Sequence, residues 1–225
     1  AGGYFETAWA LNPLSEAVVN GLSAFYLRDP VKNRAAAEAL LSEATKIFPE
    51  NINHWNNLGY LLTLQKRWAE AEAAYTRALE IQPEAPVLER NLLAVASQSG
   101  RLRPAVLIDL AELRSLDADV SKGDWSQKSL KRAASLVARR PSFLKARFVY
   151  GSLLLANGRA ADAAVELEAV VARDPGRAAP RVNLANAYLA MSRPRDAEAQ
   201  LRTALRLEPG NPSIRARLTA MGLAP

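Results

Sequence analysis

The chain has 225 residues, 49% hydrophobic and 23% charged, with 29 basic against 23 acidic side chains and a formal net charge of +6; this is ordinary globular composition, long enough for an extended core. With no cysteine and one histidine, disulfides, thiol nucleophiles and thiolate metal sites are excluded. No apolar run approaches the ~18–20 residues needed to cross a bilayer, and the longest, 144–156, is broken by Lys145, Arg147, Tyr150 and Ser152.

Prolines set the rhythm of the chain. Pro49 and Pro83 are 34 residues apart, and Pro141, Pro175 and Pro209 repeat that interval. Each lacks an amide hydrogen and pushes the residue before it out of helical conformation, so each is read as the end of a helix. Residues 1–13, with Phe5, Ala8 and Pro13, read as the second helix of a unit whose first helix is missing. The expected half-repeat covers 1–17, implies that something precedes it, and would show an apolar face (Tyr4, Phe5, Trp9) in need of cover. Residues 18–51 form the next unit, with Phe25, Ala37, Leu41 and Ala44. Residues 52–85 are the clearest. Apolar residues at 55, 58, 61 and 62, then at 71, 75, 78 and 79, predict two helices on either side of Gln65-Lys66-Arg67. Gly59, Ala71 and Ala78 let those helices approach closely. Residues 86–99 restart a first helix (Leu88, Leu92, Leu93, Val95), closed by Ser99-Gly100-Arg101.

Then the interval fails, for Pro83 and Pro141 are 58 apart. Pro104 can open a helix at its first turn. Residues 105 to about 120 read as one long helix, and Lys122-Gly123-Asp124-Trp125 as a turn before another that closes at Pro141. Residues 144–177 and 178–211 are regular again, and 212–222 begin one more helix (Ile214, Leu218, Met221), a common cap for a stack of repeats. The charge is uneven along this plan. Residues 139–225 carry 14 basic and 7 acidic side chains, against 15 and 16 in residues 1–138, which points to an anionic partner in the C-terminal part.

Trp55, Leu58, Gly59, Ala71, Tyr75, Ala78 and Pro83, in that order and spacing, resemble the tetratricopeptide repeat (TPR), a helix-turn-helix unit of 34 residues. The resemblance covers about four-fifths of the chain, residues 100–123 being the main gap. It implies an all-α, right-handed α-solenoid of two stacks, 1–99 and 124–225, joined by an irregular helical junction at 100–123. It also implies a bacterial, non-enzymatic scaffold that holds a partner protein in a concave groove, within a larger assembly and without a cofactor. Positions 2, 5, 6, 9, 12 and 13 of such repeats tend to face that groove. Here they give Asn53, Asn56, Asn57, Tyr60 and Thr63, then Val87, Arg90, Asn91 and Ala94. In the C-terminal stack they give Lys145, Phe148, Ser152 and Leu155, then Val182, Asn183, Asn186 and Leu189. Asn57, Asn91 and Asn183 share position 6. An asparagine amide both donates and accepts, so it can pair with the backbone of an extended peptide; equally, it can brace one repeat against the next. The family's carboxylate clamp does not fit, because Leu22, Val87 and Asn91 stand where bases are required and Tyr26 where an asparagine is.

A second set is Arg147, Arg181 and Arg215, spaced 34 and 34, with Arg159 and Arg193 also 34 apart. Equal phase in a stack of repeats means one side, so these are expected as ladders facing an anionic ligand or polysaccharide, or as a solvated face. Nucleic acid is a poor match, since few aromatics interleave with the arginines. No catalytic set is found: there is no nucleophile elbow, phosphate loop or acid pair beside a base. His54 is read as a surface or groove histidine, and Asp117 and Asp119 as solvated. Two further expectations are that the chain is the soluble tail of a membrane enzyme such as an oligosaccharide-ligase-type glycosyltransferase, and that it self-associates head to tail. The lack of cysteine suits a periplasmic or membrane-associated setting on the soluble side, with the cytoplasm as the alternative.

Overall fold

The computed structural model describes residues 7, 9–12, 15–100 and 104–224. Tyr4, Phe5, Ala8 and Pro13 of the expected N-terminal half-repeat lie outside the described residues. Among the described residues there are twelve named helices and no strand: α1 Glu16–Tyr26, α2 Arg34–Ile47, α3 Ile52–Leu64, α4 Trp68–Ile81, α5 Pro86–Gln98, α6 Ala105–Ser121, α7 Gln127–Arg139, α8 Leu144–Ala156, α9 Ala160–Arg173, α10 Ala178–Ala190, α11 Pro194–Leu207 and α12 Pro212–Ala220. None of the helices is long and apolar enough to cross a membrane.

Two local devices generate the alternation. The first is the proline stop. Phe48, Gln82, Arg140, Asp174 and Glu208 each precede a proline, and all five leave helical conformation with φ between −122° and −131°. The proline ring forbids the helical alternative to its predecessor, so α2, α4, α7, α9 and α11 each end two residues before a proline. The second is a left-handed residue between paired helices. Lys66, Gly158 and Ser192 take φ of 58°, 75° and 58°. The next amide then turns back onto the helix: Arg67 N donates to Leu62 O at 3.0 Å, Arg159 N to Leu154 O at 2.9 Å and Arg193 N to Tyr188 O at 2.8 Å. This closes the orphaned carbonyls at the helix end. Glycine holds that conformation without strain, whereas Lys66 and Ser192 hold it at a cost.

The chain forms two compact units, residues 1–108 and 109–225, and the division falls within α6. In the first unit Leu22 and Tyr26 of α1, Leu40 and Leu41 of α2, Leu58, Leu61 and Leu62 of α3, Tyr75 and Leu79 of α4, and Leu88 and Leu92 of α5 are buried. Gly59 lets α3 and α4 meet, since a Cβ there would lie 2.9 Å from the Tyr75 ring. The inward side of α3 is rotated from the expected one. His54, not Trp55, is buried with Leu58, Leu61 and Leu62, because 54, 58 and 61 share one side of a 3.6-residue helix. Trp55 lies at the edge, where its Nε1 donates to the Pro49 carbonyl at 2.9 Å.

In the second unit Leu110, Leu113 and Leu116 of α6, Leu130 and Leu136 of α7, Phe143, Val149 and Leu153 about α8, Leu167 of α9, Leu184 and Ala185 of α10, Leu201 of α11, and Ile214 and Leu218 of α12 are buried. Gly151 does for α8 and α9 what Gly59 does for α3 and α4, with its would-be Cβ 2.9 Å from Leu167 Cγ. The acids of α6 are not free in solvent. Asp117 pairs with Lys145 Nζ at 2.8 Å and Asp119 with Arg132 Nη1 at 2.8 Å. Asp109, which is buried, accepts from Arg139 Nε at 3.1 Å and Arg140 Nε at 2.7 Å. Two residues apart, Asp117 and Asp119 point in different directions, as expected for a helix, and each meets a base, Asp119 on α7 and Asp117 on α8, rather than water alone.

Candidate interaction groove

The polar residues of the first helices divide into two kinds. In the second unit they bond from one first helix to the next. Lys145 of α8 reaches Asp117 of α6; Asn183 Nδ2 of α10 donates to Ser152 Oγ of α8 at 2.9 Å; Arg217 Nη1 of α12 donates to Asn186 Oδ1 of α10 at 2.7 Å. Asn183 and Arg217 both occupy position 6 of their units, so the position expected to meet a peptide instead braces its neighbour. Arg217 is the residue missed in the sequence. Its signal was its place, since it stands in the capping helix where Asn183 stands in the repeat before.

In the first unit only one such rung of position 6 exists among the described residues: Asn91 Nδ2 of α5 donates to Asn56 Oδ1 of α3 at 3.1 Å. Asn53, Tyr60 and Arg90 are exposed and Asn57 is half-buried; among the described residues none of these four side chains has a hydrogen bond or ion pair. Tyr60 and Leu64 of α3 are 43% and 43% exposed and Val87 of α5 is 52% exposed. The Asn56–Asn91 bond sets the register of the two helices. Tyr60 lies one turn beyond Asn56, Val87 one turn before Asn91, and Arg90 beside Asn91.

Behind this face lies His54, which the sequence places at the surface or in the groove and the structure buries completely. Its Nε2 is 3.0 Å from Asn20 Oδ1 of α1, its ring centroid 5.7 Å from that of Phe48, and its Nδ1 has no partner among the described residues. Burial holds its pKa below the ordinary histidine value, opposed by the negative charge of Glu16. At the turn between α3 and α4, Arg67 joins Glu38 of α2 to Glu70 of α4, and Gln65 Nε2 donates to Glu38 at 2.9 Å. The hydrogen bond from Arg67 holds the Glu38 carboxyl below its usual range.

The two arginine series are engaged within the fold. Arg147, Arg181 and Arg215 occupy the fourth position of their units, the place of Trp55. Like its indole, they donate to the carbonyl of the proline six residues earlier: Arg147 Nε to Pro141 O at 2.8 Å, Arg181 Nη2 to Pro175 O at 2.9 Å and Arg215 Nη2 to Pro209 O at 2.8 Å. Arg147 also pairs with Glu166, and Arg181 Nη1 with Gln200 Oε1 at 3.0 Å. Arg159 and Arg193 each pair with an acid three residues on, Asp162 and Asp196, at 2.7 Å. Arg193 also lies over the Tyr188 ring, 4.5 Å from its centroid. Burial and the Glu168 carboxylate push the Tyr188 phenol up to about 12. No group of three or more metal-ligating side chains occurs among the described residues.

Tetratricopeptide-repeat models match residues 52–84, 116–178 and 154–221, together more than half of the chain. The chain thus carries tetratricopeptide repeats and has the all-α repeat fold of that class. Repeats of this kind are interaction modules in general, and no enzyme family is indicated. Among solved structures the chain is similar to YrrB, described as a TPR protein with an unusual peptide-binding site (19% identity, 99% of this chain, 100% of that chain, TM-score 0.39). It is also similar to the TPR domain of P58(IPK) (11% identity, 97% of this chain, 58% of that chain, TM-score 0.49) and to a tetratricopeptide repeat protein from Parabacteroides merdae (16% identity, 97% of this chain, 90% of that chain, TM-score 0.44). No curated protein matches it.

Proposed function

We propose that this protein is a non-enzymatic scaffold whose first unit holds a segment of a partner protein against the exposed face of α3 and α5. One observation carries the reading: Asn53, Asn57, Tyr60 and Arg90 stand on that face without a protein partner among the described residues. The comparable positions of the second unit are taken up by Ser152–Asn183 and Asn186–Arg217. A free amide can donate to and accept from a peptide backbone, and a half-exposed tyrosine offers an apolar body with a polar tip. The rigid helices beneath supply preorganisation, which reduces the entropy cost of binding.

The test is capture of partners from a native extract on the immobilised chain, repeated with Asn57→Ala/Tyr60→Ala and with Ser152→Ala/Asn183→Ala. A partner lost with the first pair and kept with the second supports the reading. A partner kept with the first pair contradicts it.

A further inference from the structure

Arg90 gives the proposed ligand a chemistry. It is the fifth residue of its unit, the place that Asn56 holds on α3. Asn56 spends its side chain on the next first helix, accepting from Asn91. Arg90 has no such bond among the described residues, and its side chain is exposed. A guanidinium presents five donors in a fixed fork and stays charged at any working pH, so it selects a planar anion rather than a neutral acceptor. Among the described residues the groove positions of α3 and α5 carry no acid: beside Arg90 they are asparagines, Tyr60, Thr63, Val87 and Ala94. Arg67 and Arg77 of the same unit are engaged within the fold, Arg67 with Glu38 and Glu70, and Arg77 with Glu50 and Glu80.

We infer that the segment bound on this face is an extended peptide carrying one aspartate or glutamate side chain that pairs with Arg90. Flanking apolar side chains lie against Val87, Tyr60 and Leu64. The inference rests on the groove reading above and adds the charge of the ligand. It differs from capture of a chain-terminal carboxylate, for which Val87 and Asn91 stand where bases are needed. An internal acid needs one cation, and Arg90 is the one among the described groove positions of α3 and α5.

The test is selection of a phage-displayed library of random linear peptides on the intact chain and, in parallel, on Arg90→Glu, an exposed position whose change leaves the packed core alone. Selection on the unaltered chain is expected to yield peptides with an acidic residue at one fixed place, and selection on Arg90→Glu peptides with lysine or arginine there. Replacing that acid by its amide in a synthetic binder should weaken binding to the unaltered chain about 10-fold, the scale of a charge-assisted hydrogen bond, and should not weaken binding to Arg90→Glu. Peptides that lose binding on Asn57→Ala/Tyr60→Ala but show no acidic preference overturn this inference and leave the groove reading in place. Absence of enriched peptides, or peptides indifferent to Asn57→Ala/Tyr60→Ala, overturns both.

Discussion

The first and second units are made from the same repeat and use its polar positions differently. In the second unit position 6 is spent inside the protein, as Asn183 on Ser152 and as Arg217 on Asn186. In the first unit Asn57, at the same position, has no partner among the described residues, where only Asn91 is so spent. The difference teaches that an asparagine at a groove position is not a ligand residue by its place alone. What decides is whether the preceding first helix offers an acceptor one turn away. Ser152 does so for Asn183; the buried Ser23 of α1, which occupies position 6 rather than 9 of its own unit, does not do so for Asn57.

The largest expected effect concerns what holds α6 against α7 in the second unit. Asp109 is buried between Arg139 and Arg140. Asp109→Ala removes two charge-assisted hydrogen bonds, while Arg139 keeps Glu112, and should cost about 3 kcal/mol of that unit's stability, read as a loss in its denaturant midpoint while the first unit's transition stays in place.

The glycine contacts are predicted to cost both units alike. Gly59→Ala and Gly151→Ala each force a Cβ to within 2.9 Å of a packed side chain, and should each cost about 1–3 kcal/mol in thermal or denaturant unfolding. If one of the two were neutral, the helix pair concerned would be looser than its repeat partner.

Acid separates the units. His54 is the chain's single histidine, and its folded-state pKa lies below the unfolded one. The unfolded chain therefore binds the extra proton first, so stability is full above the unfolded pKa of ~6.5 and falls as pH drops through the window below it. Protonation puts a hydrogen on Nδ1, which has no acceptor among the described residues. The charges near the α1–α3 contact are Glu16, which accepts from Asn51 Nδ2, and Glu50, which pairs with Arg77 of α4. Hydrogen exchange between pH 7 and pH 5 should show α1 and α3 losing protection while α8 and α10 keep theirs. In His54→Gln the slope should vanish. A slope that survives the substitution would assign it to the carboxylates instead.

The smallest effects sharpen the contrast in role. Asn183→Ala should cost about 0.5–1.5 kcal/mol of stability, the net value of a hydrogen bond, with no effect on partner binding. Arg181→Ala should do the same, because its guanidinium closes the Pro175 carbonyl. If Arg181→Ala instead weakened binding of a polyanion in a salt-dependent way, the arginines would have a second role beyond the carbonyls they cap.

The fold was legible because its signals are local. The prolines fix where helices stop, and the small residues at 59 and 151 mark where helices touch. The side chain turned inward on α3 was not legible, since Trp55 and His54 both fit a helical stripe and only packing against α1, through Asn20, chooses between them. Nor were the acid–base pairs of α6, because Asp109 and Arg139 are 30 residues apart and meet only after α6 and α7 have packed. The arginine series was legible as a series. What it faces was not, because each donor is claimed by a backbone carbonyl that the sequence does not show.

The central claim, that binding belongs to the face the first unit leaves free, is tested most directly by titrating a selected peptide into isotope-labelled protein and following the backbone amide resonances. The account predicts shifts concentrated on α3 and α5, around Asn53, Asn57, Tyr60 and Arg90, with α8, α10 and α12 unmoved. Shifts centred on Ser152, Asn183 and Asn186 would contradict it, for they would mean that the rungs open to take a ligand and that the free face is only solvated.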